Sequence, residues 1–130
     1  MIVADASAVL DMLLARPSGR AIEERLLRRG DLLFAPHLVD LEVANVLLRG
    51  ARSGEITDQR ARDAIHDFFS LPIDRYPHTV LLGRIWDLRH NFTAYDAAYV
   101  ALAEALDATL VTSDARLGRV AERLIPVEIF

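Results

Sequence analysis

The feature that most constrains the fold is a set of short, continuous apolar runs separated by segments of helical length. The clearest runs are "MIVAD", "DLLFA" and "ATLVTSD", with "IPVEIF" at the end of the chain and a weaker candidate in "PIDRY". Strands that are apolar on both sides are typical of parallel sheets covered on both faces. The pattern predicts an α/β fold, with a central parallel sheet of four to five strands flanked by helices on both faces. The length of 130 residues predicts one domain, residues 1–130.

The segments between these runs predict seven helices. They are "ASAVLDMLLAR", "GRAIEERLLRR", "PHLVDLEVANVLLRGAR", "DQRARDAIHDFFSL", "HTVLLGRIWDLRH", "TAYDAAYVALAEAL" and "ARLGRVAER". Ser18 and Thr57 are predicted N-caps of the second and fourth helices, and Gly30 ends the second. Pro36 is expected in the first turn of the third helix.

The composition excludes several kinds of chemistry. Cysteine is absent, which excludes disulfides and thiolate sites, and all 15 basic residues are arginine. Without lysine, the chain cannot be a P-loop NTPase or form a lysine Schiff base. No apolar run is long enough to span a membrane, and the N-terminus lacks the basic start of a signal peptide. A cytoplasmic protein is therefore expected.

Two acids are expected where parallel strands end. Asp5 closes "MIVAD" and Asp114 closes "ATLVTSD". The carboxyl ends of the strands are where α/β folds place their functional sites. The alternative is that each aspartate only caps the helix that follows it.

Two other acids are predicted on apolar helix faces. Glu42 shares a face with leucine and valine side chains, and Asp96 shares one with Phe92, Tyr99 and Val100. Burying an unpaired carboxylate is costly, so such a group is usually paired, protonated or bound to a metal. For each acid, the alternative is a salt bridge to an arginine.

Taken together, the four acids predict a metal site at one end of the sheet. Clustered carboxylates repel one another and need protons or cations to be stable. Oxygen ligands favour hard ions such as Mg²⁺ or Mn²⁺, and such an ion can activate a water molecule for attack. This chemistry suits hydrolysis of a phosphodiester.

The segments "MIVADAS", "LEVANVL", "TAYDAAYVALAEAL" and "LVTSDARL" resemble PIN-domain ribonucleases, and more closely the VapC toxins of type II toxin–antitoxin systems. The resemblance covers essentially the whole chain. It implies a PIN-like fold and Mg²⁺- or Mn²⁺-dependent endoribonuclease activity on an RNA substrate, with tRNA or rRNA as the expected target. The family's acidic quartet falls on Asp5, Glu42, Asp96 and Asp114, which would be both metal ligands and catalytic residues.

The resemblance also implies supporting residues and partners. Ser7 and Thr112 match polar positions that orient ligands or water, although helix capping and strand-end hydrogen bonds would equally explain them. Asn45, one turn after Glu42, is a further candidate for the pocket. The implied partners are a VapB-type antitoxin, a second copy of the chain in a homodimer, and promoter DNA reached only through the antitoxin, with no membrane.

Four arginines flank one predicted loop and are candidates for RNA contact; they are Arg49, Arg52, Arg60 and Arg62. Solvated helix faces explain them equally well. The histidines have no ligand spacing, and Trp86, Tyr95 and Tyr99 are expected in the core. Two other functions stay open: a PIN nuclease outside a toxin–antitoxin system, acting in RNA processing or on DNA, and an inactive partner-binding module. Phosphotransfer through an aspartate is disfavoured, because the relevant enzymes need a lysine.

Overall fold

A computed structural model describes all 130 residues and contains one five-stranded sheet. Every neighbouring pair of strands is parallel, in the order β3-β2-β1-β4-β5. The strands are β1 (Ile2–Ala4), β2 (Leu33–Pro36), β3 (Ile73–Tyr76), β4 (Thr109–Thr112) and β5 (Val127–Ile129). This confirms the predicted parallel α/β fold, including the weakly signalled third strand.

Seven α-helices and one 3₁₀ turn (His78–Leu81) connect the strands. The helices are α1 (Ala6–Leu13), α2 (Gly19–Leu26), α3 (Leu38–Ser53), α4 (Asp58–Ser70), α5 (Leu82–Asp87), α6 (Ala94–Ala105) and α7 (Ala115–Ala121). None of them is both long enough and apolar enough to cross a membrane.

The position of each strand in the sheet explains how clearly the sequence signalled it. All residues of β1 and β2 are buried, because these strands have neighbours on both edges and helices on both faces. The edge strand β3 is buried only at Ile73, so its sequence mixes apolar and charged residues. Edge strands need fewer apolar residues, which is why "PIDRY" gave a weak signal.

Four local predictions were wrong. Helix α2 ends at Leu26, several residues before Gly30, which was predicted to end it. Pro36 lies at the end of β2, opposite Tyr76, and α3 begins two residues later. Proline is tolerated there because the hydrogen bond to β3 at this point is donated by the next residue: the His37 N–H donates to the Tyr76 carbonyl at 2.8 Å. Ser18 precedes α2 without capping it, since its hydroxyl donates to Asp11 instead. The segment "HTVLLGRIWDLRH" forms a 3₁₀ turn followed by the short α5.

Helix α6 crosses the centre of the molecule and is buried from Ala97 to Ala103. It contacts β1, β2 and β4, and its many alanines permit this close approach to the sheet. Thr93 caps the helix by accepting a hydrogen bond from the Asp96 backbone N–H at 3.1 Å. Asp96 therefore stands in the first turn, just before the buried part of the helix.

Candidate active site

Asp5 and Asp114 lie at the carboxyl ends of the adjacent central strands β1 and β4. The register pairs Ala4 with Val111, so Asp5 comes level with Thr112. The backbone N–H of Asp5 donates to the Val111 carbonyl at 3.1 Å, which extends the ladder by one residue. The two aspartates therefore share one edge of the sheet, as the sequence predicted.

Asp5 is 5% exposed and is held by three donors. Its Oδ1 accepts from the Ser7 hydroxyl at 2.7 Å and from the Ala8 backbone N–H at 3.0 Å. Its Oδ2 accepts from the Thr112 hydroxyl at 2.8 Å. Burial raises the pKa of Asp5, and the nearby charge of Asp114 adds to that rise, while the three hydrogen bonds oppose it.

Ser7 and Thr112 join the two strand ends into one network. The Ser7 hydroxyl accepts from the Ser113 backbone N–H at 3.0 Å, and the Thr112 hydroxyl accepts from the Asp114 backbone N–H at 2.9 Å. Both hydroxyls also donate to Asp5, so they fix its carboxylate in one orientation. The contacts of Ser7 and Thr112 fit both explanations given for them, because they would orient a metal ligand and they are also hydrogen bonds at the strand ends.

Helix capping, the alternative for the two strand-end acids, is also present. One oxygen of Asp5 caps α1, and one oxygen of Asp114 caps α7 by accepting from the backbone N–H groups of Arg116 and Leu117 at 2.8 and 3.0 Å. Capping engages Oδ1 in both residues. The two interpretations are therefore compatible, because each carboxylate has a second oxygen directed to another partner.

Glu42 is half-buried on α3 and has no arginine partner. Its Oε2 accepts a hydrogen bond from the Tyr99 hydroxyl of α6. Burial raises the pKa of Glu42, the charges of Asp5 and Asp96 raise it further, and the bond from Tyr99 lowers it. The predicted alternative of a salt bridge therefore does not apply to Glu42.

Asp96, in contrast, does form a salt bridge. Its Oδ2 lies 2.8 Å from Nη2 of Arg116, and the same nitrogen lies 3.3 Å from Oδ2 of Asp114. The side chain of Asp96 is 19% exposed and that of Arg116 is 62% exposed. Arg116 thus bridges an acid of α6 and the acid that caps α7. The four acids and the space between them are called the cleft below.

The oxygen atoms that the four acids could offer as ligands suit a hard divalent cation. The candidate ligands are all carboxylate oxygens. Burial is the main reason that the pKa values of Asp5 and Glu42 are raised, and neighbouring acids raise both pKa values further, so a cation would stabilise the charged forms. No three acidic or histidine side chains of the protein are close enough to one another to enclose an ion as they stand. Asp5 and Glu42 instead accept hydrogen bonds from hydroxyl groups. Asp96 and Asp114 share the guanidinium of Arg116.

The other candidate residues lie around and beyond this cleft. Asn45 is exposed, makes no side-chain hydrogen bond, and lines a surface depression with Leu41, Glu42 and Tyr95. The candidate RNA-contacting arginines do not form one rim. Arg49 and Arg52 lie towards the far end of α3, roughly 10 and 15 Å along the helix from Glu42 at 1.5 Å per residue.

The two remaining arginines have other neighbours. Arg60 donates to the backbone carbonyl of Leu13, and Arg62 lines a groove between α3 and α4 together with Arg52. Their contact with RNA stays a prediction.

Sequence reasoning missed two residues of the cleft and misplaced two aromatic side chains. Tyr99 is buried as expected, but its hydroxyl also reaches Glu42. Its position one turn after Asp96 was the available signal. For Arg116 the signal was an arginine in the first turn of a helix, against the helix dipole. Trp86 and Tyr95 are 68% and 66% exposed and do not belong to the core.

Comparisons with known proteins place this chain in a family. Residues 2–123 match the PIN domain. The chain is 47% identical to Ribonuclease VapC1 of Mycobacterium tuberculosis over 117 residues, which cover 89% of this chain and 87% of that protein. It is 43% identical to Ribonuclease VapC9 of the same organism over 129 residues, 99% of this chain and 98% of that protein.

Solved structures share the fold at lower sequence identity. PAE2754 from Pyrobaculum aerophilum superimposes with a TM-score of 0.68 at 24% identity, covering 91% of this chain and 82% of that one. VapBC2 from Rickettsia felis, solved with a DNA fragment from its promoter, gives a TM-score of 0.70 at 15% identity over 99% and 98% of the two chains. Because residues 2–123 match the PIN domain and most of the chain is 43–47% identical to two VapC proteins, the chain belongs to the PIN-domain family, among the relatives of VapC.

Proposed function

We propose that the chain is the toxin of a type II toxin–antitoxin system and cleaves RNA as a Mg²⁺- or Mn²⁺-dependent endoribonuclease. The ribonuclease assignment is supported by the curated relatives named Ribonuclease VapC, which match most of the chain. In this proposal, Asp5, Glu42, Asp96 and Asp114 hold the cation. Residues 1–130 would act as one domain.

The observation that carries the proposal is the electrostatics of the cleft. Two carboxylates follow β1 and β4, two come from α3 and α6, they interact pairwise at one end of the sheet, and only one guanidinium partly balances them. The raised pKa values of Asp5 and Glu42 reflect burial and the neighbouring negative charge. A divalent cation would relieve that repulsion, and the oxygen-only donor set suits Mg²⁺ or Mn²⁺.

The protein's own residues would prepare the site for catalysis. When bound, the cation would bind phosphate oxygens and activate a water molecule. Ser7 and Thr112 would hold the carboxylate of Asp5 in a fixed orientation, and Tyr99 would do the same for Glu42. Such fixed ligands cost little reorganisation during the reaction. The expected products carry a 3′-hydroxyl and a 5′-phosphate, because water attacks the phosphorus and the 3′ oxygen leaves.

The proposed partners follow from the same relatives. A VapB-type antitoxin would cover the cleft, and the toxin would form a homodimer in the cytoplasm. The VapBC2 structure contains a promoter fragment, so we expect this chain to reach promoter DNA through its antitoxin. tRNA and rRNA are the RNA classes we would test first.

The test is a cleavage assay with purified protein on total tRNA, rRNA and single-stranded DNA. Mn²⁺ or Mg²⁺ is added, and EDTA and Asp96→Asn are run in parallel. We expect discrete RNA fragments that both EDTA and the substitution abolish. Cleavage of DNA alone would favour the alternative PIN nuclease, and full activity of Asp96→Asn would overturn the assigned site. Asp107→Asn, an exposed aspartate at the end of α6, is the matched control.

A further inference from the structure

Arg116 is the one basic side chain that contacts the acidic cleft directly. All side-chain hydrogen bonds of its guanidinium go to two acids of the cleft, Asp96 at 2.8 Å and Asp114 at 3.3 Å. Both contacts use a single nitrogen, Nη2, which therefore stands between the two carboxylates.

Arg116 pairs with carboxylate oxygens that do not cap a helix. Oδ1 of Asp114 is occupied by the backbone N–H groups that it caps, so Oδ2 is the oxygen directed to Arg116. Asp96 accepts no side-chain hydrogen bond other than that from Arg116. A cation bound to Asp114 would need the same oxygen, and a cation bound to Asp96 would share its carboxylate with Arg116.

Charge makes the two occupants compete. A guanidinium and a divalent ion on the same carboxylates would be like charges a few ångströms apart, and that repulsion weakens whichever is bound second. The side chain of Arg116 is 62% exposed, so it can leave the acids for water without a change in the fold. Exposed ion pairs of this kind are weak, whereas two carboxylates on a divalent ion are strongly held.

We propose that Arg116 is the resident counter-ion of the cleft: its guanidinium links Asp96 to Asp114, and a divalent cation that binds these acids must displace it. The proposal rests on the proposed function, because it assumes that these acids bind the cation. It makes Arg116 a positioning residue that sets how much free metal ion is needed to load the site.

The test is calorimetric titration of Mn²⁺ into the metal-free full-length chain. Arg116→Gln removes the charge and keeps a polar side chain. Arg119→Gln is the control, because Arg119 is exposed on the same helix and makes no ion pair with an acid. We expect Arg116→Gln to lower the Kd for Mn²⁺ by roughly five- to tenfold, an effect that added salt reduces. Arg119→Gln should leave the Kd unchanged.

Each outcome decides the question. An equal Kd in Arg116→Gln and Arg119→Gln, or weaker binding in Arg116→Gln, would overturn the proposal while leaving the metal site intact. Absence of Mn²⁺ binding in every variant would overturn the proposed function as well. If Arg116→Gln does not fold, Arg116→Met replaces it. Methionine also removes the charge and keeps a long unbranched side chain, so the same lower Kd is expected and an unchanged Kd would contradict the proposal.

Discussion

The four acids of the cleft form two pairs that are held in different ways. Asp5 and Glu42, the inner pair, are buried or half-buried and accept hydrogen bonds from hydroxyl groups and a backbone N–H. Asp96 and Asp114, the outer pair, share the exposed guanidinium of Arg116. A neutral donor orients a carboxylate and leaves its charge, whereas a cation also cancels the charge.

This difference gives the two pairs different roles in the account. In the proposed function, the inner pair would keep a fixed geometry and supply the negative charge that draws a cation into the cleft. The outer pair is available once Arg116 moves aside. Changes to the inner pair should therefore affect activity most, and changes to exposed neighbours of the cleft such as Asn45 should affect it least.

The largest expected effect is that of Asp5→Asn. We expect cleavage to fall by more than roughly 100-fold, the upper end for losing a group that only orients a ligand. The free energy of unfolding should stay within about 2 kcal/mol of the wild-type value, because asparagine keeps the helix cap and removes a buried charge, while the Thr112 hydroxyl loses its carboxylate acceptor. RNA cleavage and urea unfolding measure the two effects. Near-normal cleavage would remove Asp5 from the site.

The next effect concerns Thr112→Val. This nearly isosteric change removes the donor to Asp5 and the acceptor for the Asp114 backbone N–H, both in the fully buried end of β4. We expect the free energy of unfolding to fall by about 2 kcal/mol, because two buried polar groups lose their partner. Thr109→Val in the same strand is the control, since Thr109 makes no side-chain hydrogen bond. An equal loss in both variants would contradict the role given to Thr112.

A smaller effect is expected in the pH dependence of Tyr99→Phe. The hydrogen bond from Tyr99 lowers the pKa of Glu42, so losing it should raise that pKa. Metal ligands must be deprotonated, so activity falls as the pH drops through this pKa. We expect the acid limb of the rate profile to move to higher pH in Tyr99→Phe. Tyr95→Phe, at an exposed position, should not move the limb.

The smallest effect is expected for Asn45→Ala. Asn45 is exposed at the mouth of the cleft and makes no side-chain hydrogen bond, so stability should change by less than about 0.5 kcal/mol. Cleavage should change by no more than a few-fold. A loss of cleavage as large as that of Asp5→Asn would show that Asn45 contributes as much as the inner pair.

The sequence predicted those features that depend on one element at a time. Buried central strands produce continuous apolar runs, and an acid on an apolar helix face is visible by counting. The pairing of Tyr99 with Glu42, and of Arg116 with the outer pair, joins different elements. Spacing along the chain does not encode such contacts. The same limit affected Pro36, whose place in β2 depends on its pairing with β3.

The most direct test of the account is anomalous diffraction from crystals of the protein grown with Mn²⁺. We expect a manganese peak at the carboxyl edge of the sheet, within bonding distance of carboxylates from both pairs, with the guanidinium of Arg116 moved off Asp96. A manganese ion bound elsewhere, or a cleft without one and with Arg116 still on both acids, would contradict the claim that these four acids form a metal centre.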